Sequence, residues 1–136
     1  GINDAPLFAG AESTLNQLRV AGYQLAIATG KSRRGLDRSL SLHTGIGAMI
    51  SLSRCADETA SKPDPLMLRE ILEESSVESK RALMIGDTEY DMAMACALGM
   101  PGLGVTCGVH APQRLLDSGA LALIEHVGHL PGWLAA

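Results

Sequence analysis

The sequence predicts an α/β protein of three layers, a parallel sheet covered on both faces by helices. Three observations lead there. Short apolar runs alternate with amphipathic stretches along the whole chain. Strand–helix alternation of this kind demands right-handed crossovers and a sheet buried on both sides. Hydrophobic residues make up 46% of 136 and charged ones 19%, enough to build one core in a single domain. Aromatics are only 3%, so that core is aliphatic and methionine-rich.

The elements follow in order. Leu15, Leu18 and Val20, with Gly22 as the stop, predict an amphipathic helix over 11–21. A buried strand over 23–28 comes next, then a helix over 32–42 with Leu36 and Leu40 on one face, ended near Gly45. A weaker strand is expected at 48–52 and a helix at 65–74, its proline well placed in the first turn. Residues 82–85 read as a strand and 88–98 as a helix closed by Gly99. A strand at 101–106, a short helix at 112–118, a strand at 121–124 and a helix at 127–134 complete the chain. In such a sheet ligands bind beyond the strand C-termini.

Composition narrows the function classes. A net charge of −4 argues against a nucleic-acid surface. The three cysteines, Cys55, Cys96 and Cys107, are odd in number and lack Cys-x-x-Cys spacing, which points to reduced thiols and a cytoplasmic protein. No run reaches transmembrane length and no signal peptide opens the chain, so no membrane partner is expected.

The richest segment is Leu83-Met84-Ile85-Gly86-Asp87-Thr88-Glu89-Tyr90-Asp91. A buried strand delivers Asp87 to its tip, and Asp91 shares its face of the following helical turn, four residues on. Paired carboxylates at the mouth of an α/β sheet form a hard-oxygen site suited to Mg²⁺. Upstream, Leu25-Ala26-Ile27-Ala28-Thr29-Gly30 ends an apolar run in a hydroxyl and a glycine just before a helix, the makings of a phosphate cradle. Between them, Ser61-Lys62-Pro63-Asp64-Pro65 sets a lysine on a proline-stiffened loop, able to neutralise a phosphoryl oxygen or an anionic nucleophile.

Thr-Gly, then Lys-Pro, then Gly-Asp-x-x-x-Asp, in that order, resembles the haloacid dehalogenase-like hydrolase superfamily, and within it the phosphoglycolate phosphatase-like branch. The resemblance implies a Rossmann-like core. Thr29, Gly30 and Lys62 would bind phosphate, and Thr29 and Lys62 would be catalytic, Lys62 as the charge partner of phosphate and nucleophile. Asp87 would be a direct Mg²⁺ ligand, with Asp91 supporting it at the metal. It further implies a Mg²⁺-dependent phosphatase acting on a small phosphorylated metabolite, phosphoglycolate leading, through an aspartyl-phosphate. Residues 6–10 resemble the point where such proteins re-enter the core after a cap.

One piece of the family's pattern is missing: Asp-x-Asp, whose first aspartate attacks phosphorus and whose second is the acid/base, occurs nowhere in the chain. Asp4 precedes Ala5 and Pro6 with no apolar run before it, and reads as a flanking residue. The expectation is a single core domain over 1–136, the C-terminal part of a larger phosphatase without cap or nucleophile, and inactive alone. A non-catalytic phosphate-binding or interaction domain is the alternative, as is a phosphomutase or dehalogenase on the same fold. In the family the absent strand is central. Its loss would leave neighbours about 10 Å apart with unpaired edges. The expected remedies are closure of the two strands, a strand from a second chain, or the N-terminal segment bound as a separate piece.

Other side chains have blander readings. Lys31, Arg33 and Arg34 read as a solvated helix face, His126 and His129 as structural, and His110 as a loop residue near the rim. Met84, Met92 and Met94 are expected in the core, with Cys96 buried on its helix and Cys107 lacking a base partner.

Overall fold

The computed structural model describes residues 11–136. The readings at Asp4 and at residues 6–10 lie outside the described part. Five parallel strands alternate with helices: α1 (Ala11–Val20), β1 (Ala26–Thr29), α2 (Arg33–Leu42), a one-turn α3 (Thr44–Gly47), β2 (Leu52–Cys55), α4 (Leu66–Ser75), β3 (Met84–Gly86), α5 (Glu89–Ala97), β4 (Gly102–Val105), α6 (Gln113–Asp117), β5 (Ala122–Ile124) and α7 (Leu130–Ala135). Short 3₁₀ turns at Ser79–Arg81 and Val127–His129 precede β3 and α7.

Two core clusters show the three layers. Met84 packs with Leu68, Met92, Met94, Ala95, Met100 and Leu115, which come chiefly from α4, α5 and α6. Its strand neighbours Leu83 and Ile85 turn to the opposite cluster, with Leu18, Leu103, Ile124 and Leu130 from α1, the strands and α7. Alternation along one strand thus feeds two faces. Gly102 and Gly104 bring no side chain to the first face. A Cβ on Gly102 would lie 3.0 Å from the Met92 sulfur, and one on Gly104 2.9 Å from Leu115 Cδ1, so these glycines let α5 and α6 seat closely on β4. Met84, Met92 and Met94 are core residues as expected.

Among the described residues the sheet is in two pieces. β1 pairs β2 in a ladder that runs from Ala26 opposite Leu52 to Thr29 opposite Cys55. β3, β4 and β5 form a second ladder in that order. Among the described residues β1 and β3 do not pair, so closure of the two strands is not the solution this chain adopts. The described residues therefore leave β1 and β3 each with one open edge. Side-chain packing joins the halves: Ala28 of β1 lies against the cluster built on Met84 and Met92.

Several local expectations need correction. The apolar run at 48–52 is not the second strand. Ile46 and Met49 are buried from the α3 turn, and pairing with β1 draws the strand on to Leu52–Cys55. Tyr23 lies before β1 and is exposed. On α1 the buried positions are Ala11, Thr14 and Leu18, whereas Val20 is 77% exposed because the last turn rotates it away from α7. Cys96 is exposed rather than buried. It sits beside the turn at Gly119, outside the cluster that takes Met92 and Ala95.

Candidate functional site

Each strand that leads to a candidate residue stops at a turn closed by a small polar cap. After β3, Thr88 Oγ1 accepts the Asp91 N–H at 3.1 Å and starts α5. After β1, Ser32 Oγ accepts the Gly35 N–H at 3.0 Å and starts α2. Before α4, Asp64 Oδ1 accepts the Leu66 N–H, while Pro65 occupies the cap position. These caps fix where Asp87, Thr29 and Lys62 leave the scaffold.

The tightest contact joins two of the expected residues. Lys62 Nζ donates to Asp91 Oδ1 at 2.5 Å, across 29 residues of sequence. The Asp91 side chain is 6% exposed and that of Lys62 20%, so the pair is largely withdrawn from water. Asp91 fits there because Gly86 has no side chain: a Cβ at that position would lie 2.5 Å from both Asp91 Cβ and Asp91 Oδ2. Asp91 is therefore the counter-ion of Lys62. Asp87, next to Gly86, is half-buried, and its carboxylate makes no hydrogen bond or ion pair among the described residues.

Thr29 ends β1, and its Oγ1 accepts the Lys31 N–H at 3.1 Å. That bond uses the oxygen as acceptor and leaves the hydroxyl proton for an outside acceptor. The space beside Gly30 is open, with no described atom within 4 Å of where a Cβ would stand. Thr29 makes no hydrogen bond with Lys62 or Asp91 among the described residues.

Magnesium asks for about six oxygen donors. Among the described residues no group of three His, Cys, Asp or Glu could hold a metal ion. The uncommitted Asp87 carboxylate supplies only part of that number, so these residues by themselves do not make a complete Mg²⁺ site.

Arg33 departs from its sequence reading. It is tied down: Nε and Nη2 clasp both oxygens of Glu58 at 3.1 and 2.8 Å, and Nη1 donates to Ser53 Oγ at 2.9 Å. The Glu58 hydrogen bond raises the guanidinium pKa and, in return, lowers that of the Glu58 carboxyl. Burial pushes the neighbouring Cys55 thiol up. No local spacing announced this cluster, because its partners are 20 to 25 residues apart. Arg34 is exposed, as expected, and so is His110. The rings of His126 and His129 pack edge to face, with centroids 5.5 Å apart.

Fold and rim together define a parallel α/β protein whose chemistry-bearing side chains stand on loops at the strand C-termini. The chain belongs to the haloacid dehalogenase-like hydrolases, whose family model matches residues 3–105. It is 34% identical over 131 residues to a phosphoglycolate phosphatase of Rhodospirillum rubrum, covering 96% of this chain and 54% of that protein. It is 35% identical over 103 residues to the pyrophosphatase PpaX of Bacillus velezensis, covering 75% of this chain and 47% of the relative. A haloacid dehalogenase family hydrolase from Deinococcus radiodurans, solved with bound phosphate and sodium, superposes with a TM-score of 0.82 at 23% identity, covering 93% of this chain and 58% of that one. The chain spans about half the length of the curated relatives it matches. Among the described residues no helix is long and apolar enough to cross a membrane.

Proposed function

We propose that this chain is the core part of a Mg²⁺-dependent phosphatase that hydrolyses a small phosphomonoester, with phosphoglycolate the leading substrate. The observation that carries the reading is the withdrawn Lys62–Asp91 pair beside an uncommitted Asp87, in a chain with phosphatases among its relatives. Lys62, steadied by Asp91, lends positive charge to a phosphoryl oxygen. The Thr29 hydroxyl donates a hydrogen bond to the same group, in the open space beside Gly30. Asp87 would hold Mg²⁺ together with donors from outside the described residues, and the ion would supply charge neutralisation when bound. The attacking carboxylate would come from a strand preceding this chain, docked between β1 and β3. Three free cysteines suit a reducing, cytoplasmic setting.

The test compares the 136-residue chain with a version extended upstream through a strand carrying Asp-x-Asp, on a panel of phosphoesters that includes phosphoglycolate and pyrophosphate. The extended protein should turn over with Mg²⁺ and the short chain should not. Separately, Mg²⁺ should shift the NMR signals around Asp87 in the extended protein. Phosphate binding without turnover in the extended form would favour a non-catalytic binding domain. Turnover by the short chain would overturn the assignment of the nucleophile.

A further inference from the structure

The ladder between β1 and β2 ends at Thr29 opposite Cys55, so strand pairing stops where the Thr29–Lys31 turn begins. Beyond that point an isolated turn would fray, yet this one is bonded to the opposite loop at several points. The Arg33 N–H, first of α2, donates to Asp57 Oδ1 at 2.9 Å. The Arg33 guanidinium grips Glu58 with two parallel bonds and reaches back to the Ser53 carbonyl at 3.2 Å. It also touches Asp37 on its own helix at 3.4 Å. Glu58 Oε1 accepts the Cys55 N–H at 3.2 Å, and the Ala56 N–H donates to the Lys31 carbonyl at 3.3 Å. One arginine thereby fastens the turn after β1 to the loop that leads to Lys62.

We propose that Arg33, with Asp57 and Glu58, is a positioning clamp: it extends the β1–β2 register past the last ladder pair and fixes the Thr29–Lys31 turn relative to the Lys62 loop. Its importance for phosphate handling rests on the reading proposed above. The fork geometry matters, because a planar guanidinium held on both Glu58 oxygens resists rotation in a way that a single ammonium contact does not. A surface ion pair contributes little to overall stability. The effect belongs to local order.

The test uses the 136-residue chain, its Arg33→Ala and Glu58→Gln variants and the double variant. Three readouts are compared: amide exchange by NMR, urea stability, and shifts on titration with inorganic phosphate. Each single variant should speed exchange at Lys31 and Ala56 about tenfold while leaving Leu103 unchanged, since local openings are independent of the central strand. Each should weaken the phosphate response at Thr29 about fivefold, and the double variant should be no worse than the worse single one, because coupled partners are not additive. Unchanged exchange in the turn overturns the clamp, as do additive losses or a matching loss of protection at Leu103. A wild-type chain with no phosphate response at Thr29 defeats the phosphate reading instead, and the exchange comparison still decides the clamp.

Discussion

Lys62 and Asp91 differ in how far each can retreat to water, and that difference is measurable. Asp91 is almost fully enclosed, so removing its lysine leaves a buried carboxylate without a counter-ion. Lys62→Met should therefore cost about 3 kcal/mol of unfolding free energy, the scale for a broken buried pair. Asp91→Asn should cost less, about 1–2 kcal/mol, because the freed ammonium can turn outward and the amide still accepts a hydrogen bond. Urea denaturation of the two variants checks the order. Gly86→Ala acts on the same pair from below. Its new methyl would overlap Asp91 Cβ and Oδ2 at 2.5 Å, and overpacking of this kind costs about 1–3 kcal/mol. A lower denaturation midpoint and displaced Asp91 resonances are the expected outcome. At this scale the sequence located the turn: Gly86 ends β3 and Asp91 stands in the first turn of α5. It did not say that Asp91 faces lysine, since that contact depends on where the 62–65 loop lands.

At the scale of elements, the first turn of α2 carries a pH dependence whose sign is fixed. The Arg33 bond holds the Glu58 carboxyl below its ordinary value of 4.5. A depressed carboxyl stabilises the folded form above that ordinary value, and the contribution disappears as pH falls through the folded one. Acidification below about pH 4.5 should therefore loosen the turn after β1, with faster exchange at Lys31 and Ala56 in an NMR titration, while Arg33→Ala should show no such step. The helices apart from the one-turn α3 were legible, because the Leu36 and Leu40 face and the Gly99 stop are local signals. The second strand was not. A run of apolar residues at 48–52 fits a strand or a buried turn equally well, and only pairing with β1 chose Leu52–Cys55.

At the largest scale, the described residues are organised around a sheet in two pieces. Only β4 has a strand on both sides, whereas β1 and β3 each pair with a single neighbour among the described residues. Amide exchange should consequently be slowest in Leu103 and Gly104 and faster in β1, since a ladder bonded on one edge opens more readily. A strand added in trans or by upstream extension should slow β1 and β3 together. If only one of them responds, the added strand does not bridge the two ladders.

The sequence by itself determined the α/β alternation, the methionine core and the three loops that carry hydroxyl, lysine and carboxylates. Each of these is written in short windows of period, cap and turn. Tertiary structure alone decided that Lys62 is held by Asp91, that Arg33 fastens the turn after β1, and that the two ladders stay apart. Those outcomes depend on residues 20 or more positions apart meeting across loops, and no local pattern encodes such a meeting.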